Sequence, residues 1–199
     1  MKQAQVSSKK KMMIQNNIES VLKNHSRIPV ATISKMEEVD IYYEKLKSQG
    51  ISCIEITLRN DIAWDAIALF KEKYGHEFQV GVGTIVSPDD ILNCVKLKVD
   101  FMVSPGLTSS MIQQFDFSGI PFLPGVSTPS EIIRGIDSGW QFFKFFPAHL
   151  FGGAQALETY SGIFKDVRFC PTGGINGENF EEYLALNNVM SVGGSWLLK

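Results

Sequence analysis

The 199-residue sequence has only three cysteines and three histidines, and neither residue type forms a metal-binding cluster. Cys53, Cys94 and Cys170 are separated by long gaps without a CxxC pair, which is typical of free thiols in a reducing compartment. The histidines are also far apart, and neither an HxH nor an HExxH motif is present. The sequence therefore predicts neither a disulfide nor a metal site.

The sequence also lacks a strong excess of one charge and a long apolar run. Its formal net charge is -2 at pH 7, so it gives no signal of nucleic-acid binding or of membrane-surface binding. No apolar run approaches the length of a membrane-spanning helix, and the polar, basic residues 1–12 contain no apolar segment of a secretory signal. We therefore expect a cytoplasmic protein without nucleic-acid or membrane partners.

Eight short apolar runs, each followed by a turn signal and a polar, helix-like segment, make up most of the chain. They are Ile28–Ile33, Cys53–Leu58, Gln79–Ile85, Phe101–Ser104, Pro121–Val126, Phe142–Phe146, Arg168–Pro171 and Val189–Val192. Successive runs are about one βα unit apart, whereas an open doubly wound sheet would have fewer strands and a glycine-rich fingerprint after the first. The pattern therefore predicts an α/β fold, a closed (β/α)8 TIM barrel.

Signals for helix initiation stand between these runs. Ser87 and Thr128 each precede a proline at the first helical position, and Asn176 stands in a similar place before another apolar periodic segment. Apolar residues also recur at helical spacing from residue 13 to about residue 26, before the first strand. We expect residues 1–11 to be a flexible tail and residues 12–199 to form a single domain with an extra N-terminal helix.

The last βα unit is shorter than the others. Only Leu197, Leu198 and Lys199 follow Ser195 and Trp196, so the sequence predicts that the last helix of the barrel is missing. A complete barrel uses that helix to cover the outer face of its last strand. We therefore expect exposed apolar surface and reduced stability at the eighth strand.

One lysine lies among four phenylalanines in the run Phe142–Phe146. In a strand, Lys144 shares its face with Phe142 and Phe146, while the other two phenylalanines lie on the opposite face. An ammonium group there would be costly, because burial disfavours the charged form of an amine. Since only a free amine attacks a carbonyl carbon, Lys144 is a candidate Schiff-base nucleophile. The alternative interpretation is an edge-strand lysine whose stem covers the phenylalanines while its ammonium group reaches water.

Polar and small residues follow the ends of several predicted strands. Glu55, Thr57 and Arg59 share one face of the second run, as expected for the inner wall at a barrel mouth, although a structural Glu–Arg pair at the rim would give the same pattern. Glycine pairs end the seventh and eighth runs, where backbone N–H groups of such barrels bind phosphate. A single glycine pair is more often only a turn, but two pairs on these strands favour a phosphate site.

Taken together in order, these motifs resemble the class I 2-keto-3-deoxy-6-phosphogluconate (KDPG) aldolases. The resemblance covers about residues 28–196. It runs through IEITLR (Ile54–Arg59), GVGT (Gly81–Thr84), VSPGLT (Val103–Thr108), PGVST (Pro124–Thr128), FKFFPA (Phe143–Ala148), RFCPTGG (Arg168–Gly174) and GGSW (Gly193–Trp196). The sequence departs from the family pattern at His149, Leu150 and Phe151, where an acidic residue and then small residues are usual.

The resemblance implies roles for individual residues. Lys144 would form the Schiff base and Glu55 would be the general acid and base. The substrate-binding residues that it implies are Arg59 and Thr84 for the pyruvate carboxylate, Pro105, Phe146 and Thr172 in the pocket, and Gly173, Gly174, Gly194 and Ser195 for the phosphate. It also implies a homotrimer, and it implies no cofactor, because the protonated imine and not a metal holds the electrons.

The activity implied by the resemblance is cleavage of KDPG to pyruvate and glyceraldehyde 3-phosphate. Members of the family often also cleave 4-hydroxy-2-oxoglutarate to pyruvate and glyoxylate, so this remains an alternative main activity. A phosphosugar isomerase or epimerase that uses Glu55 as a base without a covalent step is another class. An impaired barrel that only binds keto acid or phosphate is a third. The sequence does not decide the preferred aldehyde or the stereochemistry at C4.

Overall fold

The chain alternates short parallel strands with helices. The structure is a computed structural model, and it describes residues 17–199. The strands are β1 (Arg27–Ala31), β2 (Cys53–Thr57), β3 (Gln79–Gly83), β4 (Phe101–Val103), β5 (Phe122–Leu123), β6 (Gly125–Val126), β7 (Phe142–Phe145), β8 (Arg168–Pro171) and β9 (Val192–Gly194). The helices are α1 (residues 17–24), α2 (Glu38–Ser48), α3 (Ala63–Tyr74), α4 (Pro88–Leu97), α5 (Ser109–Ser118), α6 (Pro129–Asp137), α7 (Gly153–Ile163) and α8 (Phe180–Leu184). Short 3-10 helices cover Ala148–Phe151 and Trp196–Leu198. The predicted α/β class is confirmed.

Hydrogen bonds join the strands into two parallel sheets. One sheet has the order β5-β4-β3-β2-β1-β9, and the other has the order β6-β7-β8. Isolated parallel bridges from Phe169 to Val189 and from Thr172 to Gly193 link the second sheet to the last strand. Between β5 and β6 only Pro124 intervenes, and its missing N–H interrupts the ladder. The fifth predicted run is therefore two short strands in the structure.

Alternation along the strands separates an inner apolar cluster from an outer one. The outer cluster lies between the strands and the helices and contains, among others, Ile54, Ile56, Phe143 and Phe145. The inner cluster contains Ile18, Val21 and Leu22 of α1 together with Ile28, Cys53, Phe101, Val103, Leu123, Phe142 and Cys170. Several of these strand residues are at or next to the first residue of their strand, so α1 covers the amino ends of the strands. The predicted faces of the second and sixth runs are confirmed.

Two of the three predicted helix starts are confirmed. Ser87 begins α4 and Thr128 begins α6, each with a capping box completed by the acidic residue three positions later. Asn176 does not cap a helix. Its side-chain oxygen accepts hydrogen bonds from the backbone N–H groups two and three residues on (2.8 and 3.3 Å), which forms a turn before α8 begins at Phe180. Asparagine favours both arrangements, so the sequence alone did not distinguish them.

The last strand is shifted from its predicted position. The apolar run Val189–Val192 predicted a strand, but only its final residue belongs to β9. Pairing with β1 sets this register, because Arg27 lies opposite Val192 and the two following glycines continue the ladder. Tertiary pairing has therefore overridden the local apolar pattern.

The predicted exposed apolar surface at the last strand is wrong. Val189, Val192 and Leu197 are all buried. The 3-10 helix Trp196–Leu198 packs back against α2 and β1, and the Gln49 side chain donates a hydrogen bond to the carbonyl of Leu197 (3.0 Å). Reduced stability of this strand stays a prediction.

Part of the predicted N-terminal architecture lies outside the described residues. This applies to the flexible tail, residues 1–11, and to residues 12–16 of the predicted first helix. In the part of the chain that is described, no helix is both long enough and apolar enough to span a membrane.

We expect Leu22→Ala to lower the free energy of unfolding by about 2–5 kcal/mol, because it leaves a cavity where α1 closes the inner cluster. Leu92→Ala in α4 is the matched control, since that side chain is 51% exposed and should change stability by less than about 0.5 kcal/mol. Urea denaturation followed by circular dichroism measures both variants. Equally small losses would contradict the closing role of α1.

Candidate active site

Lys144 and Glu55 form a buried ion pair. Lys144 is on β7 and Glu55 on β2, and the lysine Nζ lies 3.0 Å from Oε1 and 3.5 Å from Oε2 of the carboxylate. The two side chains are only 5% and 4% exposed. Both alternative interpretations are therefore wrong: Lys144 does not reach bulk water, and Glu55 pairs with this lysine and not with Arg59. Each charge offsets the desolvation of the other.

Only one phenylalanine of the run Phe142–Phe146 has its ring next to the Lys144 amine. Nζ lies 5.2 Å from the centroid of the Phe146 ring, a distance at which a ring face attracts a cation. Gly125 on β6 and Cys170 on β8 are the neighbours of Lys144 across the sheet. Phe143 and Phe145 lie in the outer cluster, and Phe142 lies in the inner cluster at the start of the strand. The amine is therefore held by the ring of Phe146 and the carboxylate of Glu55.

The end of β3 is shaped around Glu55. Gly83 leaves the space that the carboxylate occupies, because a Cβ at this position would overlap Oε1 of Glu55. The next residue, Thr84, has φ +63°. A β-branched residue rarely adopts this conformation, and such outliers cluster at functional sites. This strained position therefore supports a functional role for Thr84.

The glycine pair after β8 forms a loop with free backbone donors. Gly173 and Gly174 have φ of +97° and +76°. No described residue accepts a hydrogen bond from the N–H groups of Gly174 or Ser195. The segment after β7 holds this loop in place, since two of its N–H groups donate to the carbonyls of Thr172 and Gly173 (2.9 and 3.2 Å). Free backbone N–H groups in such loops can bind an anion.

A cavity of about 460 Å³ lies at the carboxyl ends of the strands. It brings together seven of the predicted residues: Arg59, Phe146, Thr172, Gly173, Gly174, Gly194 and Ser195. Its lining also includes residues that the sequence reasoning missed: Val30, Thr32, Tyr42, Ile175, Leu198 and Lys199. The signal for two of them was available, because Val30 and Thr32 alternate with the inward-facing Ile28.

Lys144, Glu55, Thr84 and Pro105 do not line this cavity, although Thr84 and Pro105 are at the same end of the sheet. The ion pair is next to the cavity at Phe146, which lines it and whose ring centroid is 5.2 Å from Nζ of Lys144. Thr84 follows β3 beside Glu55. The backbone of Pro105 lies against Gly125, where a Cβ would overlap the proline carbonyl, and Gly125 is the neighbour of Lys144. These two residues therefore border the ion pair from the side of β3 and β4.

Arg59 supplies a positive charge at the cavity. Its side chain is exposed, and no residue in the described range 17–199 forms an ion pair with it. A guanidinium group offers donors in a planar fork that matches a carboxylate. The cavity thus has a fixed cation near β2 and free backbone donors near β8 and β9.

The cysteines contribute no reactive group to this cavity, whereas the His149 side chain lies against Gly174 of its lining. Burial raises the pKa of Cys170 to about 11 and that of Cys94 to about 12, and it raises the pKa of Cys53 well above its usual value. Thiols in this state are poor nucleophiles. His25 and His76 line a separate cavity at the amino ends of the strands. Within residues 17–199, no three His, Cys, Asp or Glu side chains are arranged to hold a metal ion.

Comparisons with known proteins identify the family of this chain. The family model described as "KDPG and KHG aldolase" matches residues 18–199. The KHG/KDPG aldolase of Escherichia coli (strain K12) is 41% identical over 181 residues, which cover 90% of this chain and 84% of the relative. A Legionella pneumophila KDPG aldolase, solved with pyruvate as a covalent carbinolamine intermediate, has a TM-score of 0.87 and 40% identity, covering 90% of this chain and 86% of that one. A Zymomonas mobilis KDPG aldolase with 3-phosphoglycerate has a TM-score of 0.87 and 35% identity, covering 92% and 86%. The chain belongs to the KDPG and KHG aldolase family.

Proposed function

We propose that this protein cleaves 2-keto-3-deoxy-6-phosphogluconate to pyruvate and glyceraldehyde 3-phosphate through a Schiff base on Lys144. The observation that carries the proposal is the buried Lys144 amine, 3.0 Å from the Glu55 carboxylate beside the cavity. The family is one of aldolases, and relatives 39% and 41% identical are named for this substrate. A free amine and an adjacent acid are the groups that this covalent route requires.

The first half of the reaction forms the imine. Proton transfer to Glu55 leaves Lys144 with a free electron pair on Nζ, which attacks C2 of the keto acid and gives a carbinolamine. Glu55 then returns a proton to the carbinolamine hydroxyl, which leaves as water. The product is a protonated imine between Nζ and C2, and the short distance to Glu55 allows both proton transfers.

The second half breaks the C3–C4 bond. Glu55 accepts the proton of the C4 hydroxyl, directly or through a water, and the C4 oxygen becomes the aldehyde oxygen. The electrons of the C3–C4 bond move into the imine, which becomes an enamine, and glyceraldehyde 3-phosphate leaves. Glu55 then protonates C3, and addition of water to C2 releases pyruvate and restores the amine. Because the protonated imine accepts the electrons, we propose that no metal cofactor takes part.

Substrate orientation follows from the two ends of the cavity. Arg59, with Thr84, would hold the pyruvate carboxylate and thereby fix C2 next to Lys144. At the other end, Gly173, Gly174, Gly194 and Ser195 would receive the phosphate, through free backbone N–H groups of these loops and through the hydroxyl group of Ser195. Phe146, Thr172 and Pro105 would line the space between them. Support comes from the free donors and from the cavity lining described above.

We also infer that the two sheets are parts of one closed (β/α)8 barrel, with α1 as an extra helix at its base and the 3-10 helix Trp196–Leu198 after β9. The isolated bridges of β8 with the β9 region and the short break at Pro124 support closure. The predicted domain would then run from residue 12 to residue 199. The homotrimer and the cytoplasmic location remain predictions.

Cleavage of 4-hydroxy-2-oxoglutarate is a second candidate activity of the same site. The observation in its favour is the Escherichia coli relative, which is named for both substrates. This substrate has a carboxylate in place of the phosphorylated end, so it would use Lys144, Glu55 and Arg59 in the same way. The two activities would differ in their dependence on the phosphate loop.

Incubation with pyruvate and borohydride should add one reduced pyruvyl group, and peptide mapping should place it on Lys144. Lys144→Arg keeps a cation opposite Glu55, but a guanidinium does not form the imine, so this variant should show neither adduct nor turnover. Exposed Lys165 provides the control variant Lys165→Ala, which should retain both. Intact mass spectrometry is the measurement. A folded wild-type protein that forms no adduct would rule out the imine route.

We expect Glu55→Gln to lower kcat by about 10²–10⁴-fold, the range for a lost general acid and base. Glutamine keeps the shape of the side chain but cannot exchange the proton. A coupled assay of pyruvate release measures the loss, with Glu158→Gln on the exposed face of α7 as the control. A loss smaller than about tenfold would contradict the assigned role.

Ser195→Ala should weaken phosphorylated substrates selectively. A hydrogen bond to a charged group contributes about 1.5–3 kcal/mol, so kcat/KM for KDPG should fall by about 10- to 100-fold. The value for 4-hydroxy-2-oxoglutarate should change much less, and Ser161→Ala in α7 should change neither. Equal losses for both substrates would show that Ser195 does not contact the phosphate.

A further inference from the structure

Thr32 and Thr57 form a hydroxyl pair next to the candidate site. The β1–β2 register aligns Val30 with Glu55 and Ala31 with Ile56, so the next residues along, Thr32 and Thr57, are neighbours. Their Oγ1 atoms are 2.9 Å apart. The Oγ1 of Thr57 is also 2.9 Å from the carbonyl oxygen of Ala31. Thr57 is fully buried, whereas Thr32 is half-buried and lines the cavity.

The direction of these hydrogen bonds follows from counting protons. A carbonyl oxygen only accepts, so the contact with Ala31 requires Thr57 to donate its single hydroxyl proton there. The contact between the two threonines then requires Thr32 to donate to Thr57. The only proton of Thr32 is thereby used, and its oxygen can only accept a hydrogen bond from a group in the cavity. An anionic oxygen would be repelled, whereas a hydroxyl group of a ligand would be attracted.

The sheet order places this acceptor between the two ends of the cavity. β1 lies between β2, which leads to Arg59, and β9, which carries Gly194 and leads to Ser195. A substrate with its carboxylate at Arg59 and its phosphate at the glycine loops must therefore pass Thr32 with its middle carbons. KDPG has two hydroxyl groups, on C4 and C5. The C4 hydroxyl becomes the aldehyde when C3–C4 breaks, whereas the C5 hydroxyl takes no part in the reaction.

We propose that Thr32 is a specificity-determining residue that accepts a hydrogen bond from the C5 hydroxyl of the substrate. In the direction of synthesis, this is the hydroxyl on C2 of glyceraldehyde 3-phosphate. This inference rests on the proposed function and deepens it, because Thr32 would select aldehydes that carry a hydroxyl group next to the carbonyl. Glyoxylate has no such hydroxyl, so Thr32 favours KDPG over 4-hydroxy-2-oxoglutarate as the substrate.

The test compares two aldehydes in aldol synthesis with pyruvate. These are glyceraldehyde 3-phosphate and 3-oxopropyl phosphate, which differs only by lacking the hydroxyl. A neutral hydrogen bond contributes about 0.5–1.5 kcal/mol, so Thr32→Val should reduce the ratio of the two kcat/KM values by about 2- to 12-fold. Thr32→Ser keeps the oxygen and should retain the wild-type ratio. Thr159→Val, on the exposed face of α7, is the matched control and should also retain it.

An unchanged ratio in Thr32→Val would overturn the proposal. So would an equal loss for both aldehydes accompanied by a higher KM for pyruvate, since this would show that Thr32 accepts from Arg59 instead. Failure of the proposed function is detected separately, by binding without turnover. Calorimetry with 3-phosphoglycerate and its analogue without the hydroxyl, 3-phosphooxypropanoate, measures the same preference. The wild type could make no aldol and still prefer 3-phosphoglycerate, while Thr32→Val lacks this preference. In that case the proposed reaction would be wrong and the Thr32 contact would stand. Equal binding of both ligands by wild type and variant would overturn the contact.

Discussion

The buried ion pair of Lys144 and Glu55 is the constraint on which the rest of the structure depends. The two residues are 89 positions apart in the sequence and belong to different sheets, yet their charged atoms are 3.0 Å apart. Such contact requires β2 and β7 to face one another across a curved wall. A buried ion pair is often no better for stability than apolar side chains of the same volume, so its presence is better explained by chemistry than by folding. The amine and its proton partner must meet away from water, and Gly83 is small because the carboxylate needs the space.

Opposite ends of the strands perform opposite tasks. At the amino ends, α1 and the first inward-facing residues of the strands form an apolar cluster. At the carboxyl ends, the inward-facing positions become polar, from Glu55 to Thr57 and Arg59 on β2 and the residues after it. The apolar base excludes water beneath Lys144, which strengthens its interactions with Glu55 and with a bound anion. The strained backbone of Thr84 lies at the polar end, where a rigid scaffold can support it.

Features set by neighbouring residues could be predicted from the sequence, and features set by pairing between distant strands could not. The alternation along Phe142–Phe146 and the helix starts at Ser87 and Thr128 are local, and they were predicted. The position of β9 depends on its register with β1, so its apolar run was misleading. The ion pair and the place of Thr32 depend on which strands face or adjoin one another. Asn176 was ambiguous for another reason, since its side chain stabilises a turn as readily as a helix start. Arg59 and the glycines of the cavity lining came from motifs at strand ends, which the parallel fold gathers on one side, whereas Phe146, Thr172 and Ser195 came from the resemblance to the KDPG aldolases.

Sheet order also explains how binding far from the reacting bond can serve the reaction. The groups proposed for the carboxylate and the hydroxyl follow the neighbouring strands β2 and β1, and those proposed for the phosphate follow β8 and β9. The proposed nucleophile, Lys144, lies on β7. A substrate bound to the groups that follow β1 and β2 would therefore present its C2 atom to Lys144 on β7. Cleavage requires the C3–C4 bond to stand perpendicular to the plane of the imine, so that its electrons can enter the imine system. Contacts on both sides of that bond fix its rotation, whereas contacts with the pyruvate half alone leave it free. In the proposed binding mode, binding energy from the phosphate and the C5 hydroxyl would orient the bond that breaks, and a shorter substrate would lose that orientation together with the contacts.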